Sequence, residues 1–298
     1  MKNIYTDLAL EERERFERNV EIEGVEIKKD YTKGINLTTT TVKILNKNGE
    51  EAMKKPIGTY ITMESGLLKE TENDNQKKIK DILSDNLLNL TGDVKDKSIL
   101  IVGLGNSLAT PDALGPKTVE GIHCKDNVYC IAPGVLAQTG METYDIVKGI
   151  VDQVNPDIII AIDSLAARNV RRITTTIQIT DTGITPGSGI GNHRKGLNMD
   201  SLDKKVVAIG VPMVVSGATI VNDTMENLIK ILTHVKNNPI SNFFKDYTTQ
   251  EKYQLFEELL SEETEQMFVT PKDVDEIVDN LSKIIAGGIN QYCRQILA

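Results

Sequence analysis

Residues Ser98–Glu120 read SILIVGLGNSLATPDALGPKTVE, and this stretch decides the fold. Ile99 to Gly103 is an apolar or small run between a charged segment and a Gly-Asn-Ser loop, the pattern of a strand buried on both faces of a parallel sheet. Asp112 falls just beyond its carboxyl end. A second run, DIIIAIDSLAAR from Asp157 to Arg168, repeats the arrangement: Ile158 to Ile162 is apolar and β-branched, and Asp163 is the first polar residue after it. Strand carboxyl ends line the ligand crevice of an open α/β sheet, so two carboxylates at two such ends are expected to converge.

Two neighbouring carboxylates cannot both ionise easily, so one pKa rises and the pair shares a proton. One member then activates water while the other donates a proton, which is aspartic-type amide hydrolysis. A structural alternative stands beside this for Asp112: Thr110 as N-cap and Pro111 at the first helical position would leave Asp112 complementing a helix dipole. Asp163 has no such local capping role.

Outward from these two runs, strand and helix alternate, the signature of a mostly parallel sheet covered by helices on both faces. The expected strands are Ile99–Gly103, Val128–Ala132, Asp157–Ile162, Thr174–Ile179 and Val206–Gly210. Expected helices run over Lys69–Leu90, Gln138–Gln153, Ile220–Lys236, Phe243–Met267 and Thr270–Leu297, the first with Ile79, Ile82, Leu83, Asn86 and Leu87 on one face. Residues 24–65 read as a small β extension of short antiparallel strands, with Asn48-Gly49 as a hairpin signal. Met1 to about Glu23 reads as a polar helical lead too weakly apolar to be core.

The 298 residues, 40% hydrophobic, suffice for a substantial core. No run spans a bilayer and no secretion signal opens the chain, so the expected location is cytoplasmic. Cys124, Cys130 and Cys293 form no zinc-type pair and fit a reducing compartment. A net charge of -9 argues against nucleic-acid binding. Gly103-Leu104-Gly105 lacks the third glycine of a dinucleotide fingerprint, Leu108 standing in its place, and TPGSGIGN (185–192) is no Walker loop. Ser164 and Ser216 lie outside GxSxG, and His123-Cys124 are adjacent in sequence, so neither a serine triad nor a cysteine pair is supported.

The segments VGLGNSLATPDALGPKTVE, APGVLAQTGMETYDIVKGIV, PDIIIAIDSLAARNVRRITTTIQITDTGITPGSGIGNHRKGL and VVAIGVPMVVSGATI resemble the germination proteases of spore-forming bacteria. TYITMES and VTPKDVDEIVDNLSKIIAGGIN extend the resemblance over nearly the whole chain. It implies an endopeptidase that begins digestion of small acid-soluble spore proteins in the forespore and spore interior, with Asp112 and Asp163 as the essential carboxylates, no cofactor, and a homotetrameric assembly. It implies cleavage after an acidic residue, before a large apolar residue followed by alanine, with another acid close downstream. Asp7-Leu8-Ala9-Leu10-Glu11 has that form, so a zymogen is expected to lose residues 1–7 by cutting its own Asp7–Leu8 bond and leave a single peptidase domain, 8–298. Thr6-Asp7 capping a helix is the plainer alternative for the same residues.

Substrates rich in acid need local positive charge, and Arg168, Arg171, Arg172, His193 and Arg194 are the candidates, against a solvated basic face. The GLGN start also resembles, distantly, the hydrogenase maturation proteases, which leaves a metal-dependent peptidase using Asp112, Asp163 and His193 as one rival reading. A non-catalytic nucleotide- or peptide-binding α/β module is the other.

Overall fold

The computed structural model describes residues 6–16, 20–70, 74–92, 95–125, 127–187, 195–233 and 267–296, with single positions 247, 251 and 255. The expected helix at 243–267, the part of the expected propeptide before Thr6, and His193 with Arg194 lie outside the described residues, apart from those single positions and Met267.

The chain is an α/β protein built on one sheet in the order β1-β2-β3-β7-β8-β6-β4-β5, with β9 (Phe268–Val269) alongside the end of β8. The centre is parallel: β4 (Ile99–Gly103) lies between β5 (Val128–Ile131) and β6 (Ile158–Ala167), and β6 pairs β8 (Lys205–Ser216). The flank is antiparallel: β7 (Thr176–Thr180) joins β8 to β3 (Gly58–Glu64), followed by β2 (Leu37–Ile44) and β1 (Val25–Thr32). The expected β extension at 24–65 is therefore an edge of the same sheet. β7 reverses direction because only the short 3-10 turn Val170–Arg172 separates it from β6, too little chain for a parallel crossover.

Side chains alternate across the sheet. Ile99, Ile101, Ile158, Ile160, Ile162, Ile177 and Ile179 face a layer formed by α3 (Asp74–Thr91), α4 (Leu114–Glu120) and α9 (Val274–Ile296). In α3 the wholly buried Ile79, Leu83 and Leu87 recur at helical spacing. Leu100, Val102, Ile159, Ala161 and Val206 face the other way, onto α6 (Thr143–Val154) and α7 (Met199–Leu202).

Four expectations are corrected. The predicted helix Gln138–Gln153 is two helices, α5 (Leu136–Thr139) and α6, because Gly140 takes a left-handed φ of 71° and ends the first. Asn48-Gly49 is no hairpin but part of α2 (Lys47–Met53), since Asn46 caps that helix by accepting from the Gly49 N–H at 3.0 Å. The amino-terminal lead is not a long surface helix: among its described residues only Ala9–Arg13 (α1) is helical, and Leu8 and Ala9 are wholly buried. Finally, β6 does not stop at Ile162. Asp163 and the four residues after it stay paired with β8, which itself runs beyond Gly210 to Ser216. Asp163 thus sits inside a strand rather than after one.

Candidate active site

At the carboxyl end of β4 the chain turns back sharply. Gly105 has φ 114°, and a Cβ there would lie 2.0 Å from the main-chain oxygen of Asp112, so glycine is required both by conformation and by space. The Asn106 N–H is shared by the Asp112 carbonyl (3.0 Å) and Asp112 Oδ2 (2.8 Å). Asp112 ends the 3-10 turn Thr110–Asp112, and α4 starts only at Leu114. Thr110 makes no side-chain capping bond there. The carboxylate of Asp112 therefore braces its own loop instead of capping a helix. A Cβ on Gly115 would meet the Ile162 oxygen at 2.7 Å, so α4 presses against β6 one residue before Asp163 and brings the Asp112 loop to that strand. Gly105→Ala is expected to strain this turn and destabilise the fold by about 1–3 kcal/mol; an unchanged midpoint in a thermal melt refutes it.

Asp163 is 6% exposed, and its Oδ1 accepts from the Ser164 N–H at 2.9 Å. In register it pairs with Gly210 of β8, and Gly210 pairs with Gln178 of β7. Gln178, Gly210 and Asp163 thus form one row across three strands. Alternation puts the two side chains on one face, their Cα atoms about 9–10 Å apart by strand spacing.

Across that same face runs the amino-terminal segment. The Asp7 N–H donates to the Ala166 oxygen (3.1 Å), and Asp7 Oδ2 accepts from the Ala166 N–H (2.8 Å). Leu8 fills a pocket of Leu165, Ala167, Ile173 and Val215, and Ala9 packs on Val42, Ile44, Met53 and Tyr60. Gln178 Nε2 donates to the Asp7 carbonyl at 3.1 Å, while its Oε1 accepts from the Ala9 N–H at 2.8 Å. Lys55 Nζ donates to the Thr6 carbonyl at 2.9 Å. Burial pulls the Lys55 pKa down, opposed by the nearby carboxylates of Asp7, Glu12 and Glu11. A cleft of about 210 Å³ opens beside Asp7, walled in part by Lys55, Tyr60, Leu165, Gln178 and Gly210.

Further along the segment, Glu11 is buried and its carboxylate accepts from the main-chain N–H groups of Arg168 (2.7 Å) and Asn169 (3.0 Å). Arg172 completes the set: it reaches Glu11 at 3.4 Å, grips Glu14 through two bonds of 2.6 and 2.7 Å, and bonds Glu64 at 2.8 Å. Burial alone would lower the Arg172 pKa, but the ion pairs with Glu14 and Glu64 outweigh it and hold the guanidinium charged. Of the basic candidates, Arg172 meets acids through its side chain, Arg168 contributes its main-chain amide, and Arg171 is exposed. Gln178, Lys55 and the Asn169 amide were not foreseen. A lone glutamine in the β-branched run TTTIQIT was the available signal for the first.

A buried carboxylate in β6, a second carboxylate bracing the adjoining loop and an amino-terminal segment held across the sheet mark this face as the candidate site. The germination protease family profile, peptidase A25, matches residues 4–245. Germination proteases of Caldanaerobacter subterraneus subsp. tengcongensis and Clostridium tetani are 44% and 42% identical, covering 96% and 97% of this chain and 93% and 94% of their own. That of Bacillus subtilis is 37% identical over 96% of this chain and 92% of its own. Among solved structures, the [NiFe] hydrogenase maturation protease HycI of Thermococcus kodakarensis overlaps 44% of this chain and 80% of its own, at 20% identity and a TM-score of 0.33. With family profile and near-full-length relatives in agreement, this chain belongs to the germination proteases, peptidases of spore germination.

Proposed function

We propose that the chain is a zymogen whose mature form, residues 8–298, cuts small acid-soluble spore proteins inside the spore as a homotetramer, with Asp112 and Asp163 as its acid–base pair. One observation carries this reading: Asp7-Leu8-Ala9-Leu10-Glu11 lies across the face that bears Asp163, with each side chain of substrate type in a matching place. The acid before the cut meets the Ala166 amide, the large apolar residue fills the Leu165 pocket, and alanine is buried among Val42, Ile44, Met53 and Tyr60. The acid four residues after the cut meets two amides and Arg172.

In the reaction, one aspartate, ionised, takes a proton as water adds to the carbonyl carbon. The other, protonated, gives its proton to the leaving nitrogen as the C–N bond breaks. The carbonyl-side product leaves as a carboxylic acid and the other as an amine.

Mass spectrometry of the purified chain incubated with a peptide containing Glu-Ile-Ala-Ser-Glu tests the proposal. Expected are a cut at Glu–Ile, loss of residues 1–7 from the chain, and rates indifferent to chelator. A rate lost on chelation and recovered with added metal would move both aspartates into a metal centre. An intact peptide beside an intact chain would sink the reading.

A further inference from the structure

We propose that Gln178 is a catalytic residue: its side-chain N–H receives the negative charge that builds on the carbonyl oxygen of the bond being cut. This rests on the proposed reading of Asp7–Leu8 as the scissile bond. The residue before the cut presents one oxygen to the enzyme, and Gln178 Nε2 donates to it at 3.1 Å.

The orientation of that amide is forced. A main-chain N–H can only donate, so the Ala9 N–H at 2.8 Å fixes Gln178 Oε1 on its side and turns the NH₂ group toward the Asp7 carbonyl. One side chain thus straddles the bond to be broken and holds the backbone on both sides of it. Lys55 on the preceding carbonyl extends the grip by one residue.

Placement supports more than anchoring. Gln178 is itself buried, on a strand hydrogen-bonded on both sides, β3 and β8, so the donor is set before the reaction begins. It stands in the same cross-strand row as Asp163, with Gly210 between them and the Leu165 side chain lying over that glycine. As the water oxygen bonds to carbon, the carbonyl π pair moves onto oxygen, and the 3.1 Å hydrogen bond can shorten to meet it. When the C–N bond breaks the pair returns and the carbonyl reforms. A donor matched to that moment acts on the transition state more than on the bound peptide.

Steady-state kinetics on the Glu-Ile-Ala-Ser-Glu peptide separate the two roles. Gln178→Ala is expected to lower kcat about 10²-fold, the usual loss for one oxyanion donor, with KM changed less than threefold. Gln178→Glu keeps an acceptor for the downstream N–H while losing the donor, and should show the same kcat loss; being isosteric, it also carries the test if the alanine variant melts early. A higher KM with kcat preserved would make Gln178 an anchor only and overturn the proposal. A wild-type chain that leaves the peptide whole, matching Asp163→Asn, would instead remove the reading of the scissile bond, and the proposal would fall with it.

Discussion

Asp163→Asn is expected to lower peptide cleavage about 10³-fold, within the range for loss of a general acid or base, while leaving the thermal midpoint unchanged or raised. The size follows from chemistry: an amide side chain can neither take the proton of the attacking water nor deliver one to the leaving nitrogen. The sign of the stability change follows from burial. Asp163 is 6% exposed within a strand, where an ionised carboxylate carries a desolvation cost that asparagine does not. Asparagine can still accept from the Ser164 N–H, so the local bond survives. Gain of stability with loss of rate is the mark of a group kept for chemistry. Asp112→Asn should match the loss, and the double variant should add little, because residues that act as a unit are not additive. In both, the 298-residue chain should accumulate uncut. A single variant that cleaves within tenfold of wild type, or whose loss tracks unfolding in a melt, would remove that aspartate from the reaction.

Arg172→Ala is expected to cost about 3 kcal/mol of stability and to blunt the preference for an acid downstream of the cut. Its guanidinium is the shared partner of Glu11, Glu14 and Glu64, and Glu11 is almost wholly enclosed. Removing one partner of a buried ion pair leaves the other charge uncompensated, the expensive way to break it. Glu11 would keep the Arg168 and Asn169 amides, so the segment should loosen without leaving. Specificity gives the sharper measurement. With wild-type enzyme, replacing the last Glu of Glu-Ile-Ala-Ser-Glu by Gln should lower kcat/KM about tenfold, the worth of a charge-assisted hydrogen bond. With Arg172→Ala the same replacement should cost severalfold less. An equal penalty in both enzymes would mean that the peptide's acid and Glu11 do not share a site.

The central strands were legible because parallel strands buried on two faces leave unbroken apolar runs, as in Ile99–Gly103 and Ile158–Ile162. The continuation of β6 through Asp163 and Ser164 was not. Those polar residues end the apolar pattern, and what buries the remainder is the amino-terminal segment, some 160 residues away in sequence. The same holds for Leu8 and Ala9: they lie in a lead whose own pattern is polar, and their burial comes from distant residues of the sheet together with Met53 of α2 and Ile173. Asn48-Gly49 carries good hairpin chemistry, but Asn46 two residues earlier offers a helix cap, and the buried Met53 rewards the helix. Gln178 was unreadable as a site residue because its role depends on register with Gly210 and Asp163, which no local pattern encodes.

The burial of Leu8 has a consequence for the order of events after the proposed cut. Before it, the nitrogen of Leu8 is a neutral amide bonded to Thr6 Oγ1 at 3.1 Å, and the Leu8 side chain packs on Leu165, Ala167, Ile173 and Val215. Afterwards it is an ammonium, its old partner departed with the released peptide. An ion in such surroundings costs several kcal/mol, so the newly made amino terminus is expelled by the charge that cleavage gave it. In the proposed zymogen this segment would be a single-use fuse, blocking the crevice only while whole and cleared away by the reaction that breaks it.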